Sequence, residues 1–281
     1  MYIDTTSRAA MESSISNYFD IPIDEIYQLI DYAAEKAQQN QFAFNTDVFY
    51  AELKTIFSDL NPQDTIDEIL LFHLTRRLDG DNNSGDNLRH LLTTQSPLSC
   101  YLRTYGFEFK DDIDRITLYY RGKQINLKNT MNNDVCYLRS RLGYSDIQKD
   151  YCFNGFAMRD LLMRNSYARE LYEGPELIIK LASLFKNTNI QKDFFEKSKY
   201  YCYKYRLPIS IIVFDDKESL ADSEKSEYLL YQVCSRLLAY QYSRYEHMND
   251  YDNPILRLND NYTIPTKYFE SKEEITLEML F

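Results

Sequence analysis

The sequence predicts an α+β protein in which an N-terminal helical hairpin precedes a mixed, mostly antiparallel sheet with flanking helices. Apolar residues repeat at helical spacing between residues 23 and 60, and short apolar runs typical of strands begin at residue 68. The order of helices, strands, helices and strands differs from regular βαβ alternation. We therefore predict a helical segment over residues 1–64 and an α+β main domain over residues 65–281.

The N-terminal segment begins with small and polar residues, so we expect residues 1–20 to be loosely ordered. Over residues 23–39 and Thr46–Leu60 the apolar side chains fall on one helical face. Asn61-Pro62 ends the second helix, because proline cannot continue a helix. These two helices form the predicted hairpin.

The main domain is predicted to begin with a strand at residues 68–75, where apolar residues occur at both alternating sets of positions and both faces are therefore expected to be buried. Residues 79–86, rich in Gly, Asn and Asp, predict a loop and a site of local disorder. Two short helices are then expected, at residues 87–92 and at Pro97–Thr104 with Ser96 as its N-cap.

The rest of the chain is predicted as a meander, a helical region and a final group of strands. The meander comprises strands at residues 107–110, Arg115–Tyr120 and 123–127, with a turn at Arg121-Gly122. Residues 130–196 are predicted to be mainly helical, broken at Gly143, Gly155 and Gly174-Pro175. The last predicted elements are strands at 199–205 and 209–214 separated by Pro208, a helix at 223–245, a strand pair at 254–258 and 262–264, and an amphipathic tail at 273–280.

The composition is acidic and rich in tyrosine. The formal net charge is −11, and the chain has 26 Tyr, 16 Phe and no Trp. Broad nucleic-acid binding is not expected, because such binding depends on clustered Lys and Arg. The acidic surplus serves either solubility or the docking of a basic protein partner, and tyrosine can line such a partner surface.

Cysteine and histidine usage indicates the compartment and argues against common metal sites. The five cysteines are odd in number and form no CxxC pair, which predicts reduced thiols and a cytoplasmic location. Cys152 is interpreted as a buried structural thiol. With three histidines no multi-histidine site is expected, so no metal ligands are assigned. We expect neither a signal peptide nor a membrane span.

The most informative motif is the His73-Leu-Thr-Arg-Arg77 segment, since the chain lacks Walker, GxGxxG, GxSxG and HExxH motifs. His73 and Thr75 point to one face of the predicted strand. In one interpretation His73 is a core residue bonded to backbone, and the arginines form ion pairs. In the other, His73 and Thr75 hydrogen-bond a ligand and Arg76 binds phosphate.

A strand carrying H-x-T, followed by a loop and helix and later by a strand with Ser and Tyr, resembles the histidine-type ADP-ribosyltransferases. That family includes diphtheria-toxin-like enzymes and poly-ADP-ribose polymerases. The resemblance implies that NAD binds with its ribose at His73 and Thr75 and with Arg76 nearby. It also implies that Tyr200 or Tyr201 stacks on nicotinamide.

The resemblance further implies an acidic residue near the start of a later strand, which stabilises an oxocarbenium-like ribose as nicotinamide leaves. Glu246, Asp250 and Asp252 precede the predicted strand at 254–258, but none stands in an E-x-E arrangement. The family context suggests a bacterial toxin or a phage-conflict effector. The alternative is a non-enzymatic, acidic, Tyr-rich interaction protein that binds and inhibits a basic protein partner.

Overall fold

The computed structural model describes residues 1–40, 43–62, 64–80, 85–128, 131–144 and 150–281. The predicted α+β class is confirmed, because helices and antiparallel sheets are both present and the N-terminal helices precede the sheet. The helices are α1 (Arg8–Phe19), α2 (Ile23–Ala37), α3 (Thr46–Leu60), α4 (Leu88–Thr93), α5 (Pro97–Thr104), α6 (Asn133–Arg141), α7 (Ser166–Glu173), α8 (Glu176–Leu184), α9 (Asn189–Glu196) and α10 (Asp222–Tyr242).

The strands form three sheets. They are β1 (Gln38–Asn40), β2 (Ala43–Phe44), β3 (Glu68–Leu78), β4 (Phe107–Asp112), β5 (Arg115–Tyr120), β6 (Lys123–Gln124), β7 (Asn154–Phe156), β8 (Ser198–Pro208), β9 (Val213–Phe214), β10 (Ile255–Arg257) and β11 (Phe269–Glu274). The strand orders are β1-β2, β4-β5-β6 and β11-β8-β3-β7-β10-β9. In the last sheet, sequential strands are rarely neighbours, so long connections are required.

The chain divides into two compact units. The first contains Met1–Leu71, Phe156–Asn165 and Arg206–Leu256, and the second contains Phe72–Gly155, Ser166–Tyr205 and Arg257–Phe281. The predicted helical segment, residues 1–64, lies within the first unit, whereas residues 65–281 contribute to both.

In the first unit, residues predicted to be loosely ordered form helix α1, so that prediction was wrong for Arg8–Phe19. Met11, Ile15 and Phe19 form a buried stripe at four-residue spacing. Ser7 caps the helix by accepting a hydrogen bond from the backbone N–H of Ala10 at 3.2 Å. The stripe is narrow, and the small polar residues around it concealed it in the sequence.

The predicted hairpin of α2 and α3 is confirmed. Asn45 caps α3 by accepting hydrogen bonds from two backbone N–H groups, and Asn61 ends the helix with φ of 48°. Phe49 and Leu53 bury one face of α3, while Ile26 and Ile30 bury one face of α2. Helix α10 packs against this helical group.

The second unit is built around a core in which a meander packs against helices. Its buried side chains come from β4, β5, α5, α6, α8 and α9, and include Phe107, Leu118, Leu102, Leu138, Leu181 and Phe194. The predicted three-stranded meander is present, although its first strand is longer and its third shorter than predicted. Phe107 lies opposite Tyr120, and Arg121 and Gly122 adopt left-handed turn conformations.

Several boundaries differ from the sequence prediction. Gly155 lies within β7 instead of breaking a helix, β8 continues through Pro208, and residues 262–264 form no strand. The predicted amphipathic tail instead contains part of β11, whose six residues are all exposed. This strand pairs antiparallel with β8 through backbone groups and has no apolar alternation to reveal it. The loop predicted at 79–86 includes residues 81–84, which lie outside the described residues.

Candidate functional site

His73 lies on β3 in the second unit, half-buried, with its ring 4.2 Å from the ring of Phe153. Its Nδ1 lies 2.7 Å from the backbone carbonyl of Asn154. A carbonyl can only accept, so Nδ1 carries the proton and a lone pair remains on Nε2. Burial, followed by the charges of Arg77 and Arg141, lowers the pKa of His73 to about 3. The imidazole is therefore neutral at pH 7.

Thr75 follows two positions later on the same face of β3 and is also half-buried. Its hydroxyl lies 3.5 Å from the backbone carbonyl of Arg76, which is at the outer limit of a hydrogen bond. The hydroxyl is therefore weakly held and can bond to a ligand. His73 and Thr75 thus place one acceptor and one hydroxyl side by side.

Arg76 is a buried structural residue in this arrangement. Its Nε donates to Ser198 Oγ at 3.0 Å, its Nη1 to the carbonyl of Tyr172 at 2.6 Å, and its Nη2 to the carbonyls of Phe195 and Ser198 at 3.0 and 2.8 Å. The guanidinium also lies 4.2 Å from the ring centroid of Phe195. Of its five N–H groups, one remains for any phosphate.

The two candidate tyrosines differ in accessibility. Tyr200 is buried, and its hydroxyl donates to the carbonyl of Ala168 at 2.9 Å, so its ring belongs to the core. Tyr201 is partly exposed, and the ammonium of Lys272 lies 4.9 Å from its ring centroid. Of the two, Tyr201 has the ring that a ligand can reach.

The predicted acidic residues all belong to the first unit, whereas His73, Thr75, Arg76, Tyr200 and Tyr201 belong to the second. Glu246 and Asp252 are exposed. Asp250 is buried, is bonded to Arg236, and accepts a hydrogen bond from Asn253 Nδ2 at 2.8 Å. Its carboxylate is therefore engaged within its own unit.

A polar cluster that sequence reasoning missed lies at one end of the helix pair α6 and α8. At the start of α6, Asp134 contacts Lys180 and accepts a hydrogen bond from Ser183 at 2.6 Å, both on the later part of α8. The two packed helices are therefore antiparallel. Consequently Arg141, the last residue of α6, and Glu176, the first of α8, lie at the same end of the pair.

Arg141 is the centre of this cluster. Its Nη1 pairs with Asp150 Oδ1 at 2.9 Å, while its buried Nε has no hydrogen-bond partner among the described residues. Burial raises the pKa values of Tyr137, Tyr167 and Glu176, and the charge of Arg141 opposes each of these shifts. The same charge lowers the pKa of His73, so Arg141 acts on both His73 and the acidic end of the helix pair.

No motif in the sequence marked this cluster, because its members are far apart along the chain and belong to different helices. The break at Gly174-Pro175 was the one local signal, since it places Glu176 in the first turn of α8. Tyr167 is 43% exposed, which makes it a second tyrosine with an accessible ring in this unit.

Cys152 has the features of a structural thiol. It is buried, its Sγ accepts a hydrogen bond from Arg257 Nε at 3.2 Å, and burial raises the pKa of the thiol. A raised pKa keeps the sulfur protonated and weakly nucleophilic at pH 7. This agrees with the interpretation made from the sequence.

Within the described ranges, no group of His, Cys, Asp and Glu side chains could hold a metal ion. No helix in the part of the chain that the structure covers is long and apolar enough to cross a membrane. No family model, no curated protein and no solved structure matches the chain.

Proposed function

We propose that this protein binds NAD at His73 and Thr75 and transfers ADP-ribose as the histidine-type ADP-ribosyltransferases do. One observation carries the proposal. His73 is a neutral imidazole whose Nδ1 proton is directed to the carbonyl of Asn154, which leaves the Nε2 lone pair for a ligand hydroxyl.

A neutral histidine suits NAD in two ways. The Nε2 lone pair accepts a hydrogen bond from a ribose hydroxyl, which a protonated imidazole could not do. The nicotinamide ring of oxidised NAD is cationic, so a neutral imidazole also avoids repelling it. The pKa of about 3 preserves this state throughout the physiological range.

Other residues of the second unit supply the remaining groups in this proposal. The hydroxyl of Thr75 binds beside His73, and the accessible ring of Tyr201 or Tyr167 stacks on the nicotinamide. The Nε–H of Arg141, which has no partner among the described residues, donates to an acceptor oxygen of the ligand. Glu176, partly buried in the first turn of α8, takes the acidic role in this proposal.

As the substrate, NAD would lose nicotinamide when the bond between C1′ of the ribose and the ring nitrogen breaks and the electron pair leaves with nicotinamide. An acceptor nucleophile then bonds to C1′ and releases its proton. A carboxylate stabilises the positive charge that develops on the ribose. Glu246 and Asp252 stay predicted acids for this role, and Asp250 is engaged with Arg236.

The proposal is tested by thermal unfolding with millimolar NAD and by chromatographic detection of released nicotinamide. NAD should raise the unfolding midpoint, because a ligand that binds only the folded state stabilises it by mass action. His73→Ala should remove this rise, while His247→Ala, at an exposed histidine, should retain it. An unchanged midpoint in the wild type at millimolar NAD would refute the proposal.

The acid is identified with conservative variants. Glu176→Gln should abolish nicotinamide release and leave the NAD-induced midpoint shift in place, because the amide keeps the shape but loses the charge. Glu246→Gln and Asp252→Asn serve as the comparison. If one of these two variants stops release and Glu176→Gln does not, the acid lies among the residues predicted from the sequence.

A further inference from the structure

Two tyrosines at the end of α10 in the first unit are exposed. Tyr242 is 71% exposed and Tyr245 is 52% exposed. Aromatic side chains bury large areas in cores and interfaces, and exposed ones that lie together mark interaction sites. The proposed NAD site in the second unit uses neither of them.

Tyr242 is held in a fixed orientation. Its hydroxyl donates to Oδ1 of Asp31 on α2 at 3.0 Å, and Nε2 of the neighbouring Gln241 donates to Oδ2 of the same carboxylate at 2.6 Å. The phenol end is anchored while most of the side chain stays in solvent. A fixed ring loses little conformational freedom when a partner binds.

Tyr245 is also fixed. Its ring stacks on that of Tyr240, with centroids 6.0 Å apart and an interplanar angle of 13°. The guanidinium of Arg164 lies 4.3 Å from the ring centroid and also hydrogen-bonds to the carbonyls of Tyr245 and Met248. These contacts hold the segment after α10 in place.

Negative charge lies beside the ring of Tyr242. Asp31 and Glu35 are four residues apart on α2 and therefore share a face, where their like charges repel. Glu35 is exposed, and its carboxylate makes no hydrogen bond or ion pair within the part of the chain that the structure describes. The pKa of Tyr242 is raised, first by its bond to Asp31 and then by burial and the charges of Asp31 and Glu35.

The tyrosine surface consists of Asp31, Glu35 and Tyr242. We propose that it docks an arginine-rich segment of a basic protein partner. This interaction goes beyond the NAD site and does not depend on it. A planar guanidinium can stack on a tyrosine ring and bond to a carboxylate at once. An ammonium group is not planar and cannot stack in this way.

The first unit already contains this mode of binding. Arg8 donates from Nε to Glu12 at 2.7 Å, and its guanidinium lies 5.7 Å from the ring centroid of Tyr27. A partner arginine at the tyrosine surface would find the same two groups, an aromatic ring and a carboxylate. The net charge of −11 adds long-range attraction for a basic segment.

The test is fluorescence anisotropy with a fluorescein-labelled peptide of alternating arginine and glycine, compared with the matched lysine and glycine peptide. The arginine peptide should bind several-fold more tightly than the lysine peptide. Tyr242→Ala and Glu35→Gln should each weaken its binding about tenfold. Asp59→Asn, which neutralises an exposed acid on α3, should have little effect.

Three results would overturn the proposal. The first is no binding of the arginine peptide. The second is equal binding of both peptides with no loss in Tyr242→Ala or Glu35→Gln, which would indicate diffuse attraction to an acidic protein. The third is sedimentation that shows a dimer disrupted by Tyr242→Ala, because a second copy would then occupy the surface. Far-UV circular dichroism confirms that each variant is folded, and Glu35→Gln replaces only a surface charge.

Discussion

The carboxylate of Asp250 bonds to the guanidinium of Arg236 in the interior of the first unit, where both side chains are almost fully buried. Asp160 lies on the other side of Arg236, with its Oδ2 3.7 Å from Nη1, and accepts a hydrogen bond from Tyr240 at 2.7 Å. Asn253 bonds to Asp250 and to the backbone of Met158. Asp250, which the sequence suggested as a catalytic acid, thus holds the segment after α10 against that helix.

Asp250→Ala should therefore destabilise the protein by about 3–5 kcal/mol, because Arg236 would remain as a buried charge with only the carboxylate of Asp160 beside it among the described residues. Urea unfolding followed by circular dichroism measures this change. Asp252→Ala, two residues away and exposed, should change the free energy of unfolding by no more than about 0.5 kcal/mol. Equal effects of the two substitutions would contradict a structural role for Asp250.

His73 should make stability depend on pH. Its pKa is about 3 in the folded protein and about 6.5 when unfolded, so between these values the unfolded state binds more protons. The stability that His73 contributes is complete above pH 6.5 and is lost as the pH falls toward 3, by at most about 1.4 kcal/mol per pH unit.

This share of the pH dependence should disappear in His73→Gln. The measurement is the difference in unfolding free energy between wild type and variant at pH 5 and at pH 7, in which the titration of other groups largely cancels. The wild type should lose more stability than the variant on acidification. His90→Gln, at an exposed histidine, provides the control. If the difference between wild type and variant is the same at both pH values, the lowered pKa of His73 is contradicted.

Arg76→Met should destabilise the protein by about 3–5 kcal/mol. The substitution leaves the carbonyls of Tyr172, Phe195 and Ser198 without their charged donor, and unsatisfied buried acceptors are costly. Thermal and urea unfolding measure the loss. Arg103→Met, at an exposed arginine of α5, should be close to neutral. A stable Arg76→Met protein that has only lost NAD binding would instead support the phosphate role inferred from the sequence.

Much of the fold could be predicted because periodicity and turn chemistry act locally. Helix α3 has the predicted bounds, since Asn61-Pro62 ends an amphipathic pattern. Strand β11 could not be predicted, because its residues are all exposed, and it is held by pairing with β8 together with side-chain contacts such as that of Lys272 with Tyr201. Only the tertiary structure reveals such a partner.

The candidate site was predictable in part for the same reason. His73 and Thr75 stood out as polar residues in an apolar strand, a local contrast that the sequence displays. Whether Arg76 faces a ligand or the carbonyl of Phe195 depends on segments more than 90 residues away. The cluster of Arg141 and Glu176 arises from an antiparallel helix pair, which no spacing in the sequence encodes.

Gly143 lies two residues after Arg141, the last residue of α6. Its substitution by alanine should destabilise the protein more than the same substitution at Gly122, another glycine in the left-handed conformation. Gly143 has φ of +77°, and a Cβ there would lie 3.1 Å from Cε1 of Tyr151 and 3.3 Å from the carbonyl oxygen of Asp114. Gly122 has nearly the same φ, +75°, but a Cβ there would meet nothing within 4 Å. Comparing alanine substitutions at these two glycines therefore separates the cost of backbone strain from the cost of crowding.

Gly122→Ala should cost about 1 kcal/mol from the left-handed conformation alone. Gly143→Ala should cost about 2–4 kcal/mol, because overpacking against Tyr151 and Asp114 adds to the same strain. Urea unfolding of both variants measures the difference, which isolates the packing contribution. If the two substitutions destabilise the protein equally, the close approach of Tyr151 does not constrain the end of α6. In that case the position of Arg141 must depend instead on its ion pair with Asp150.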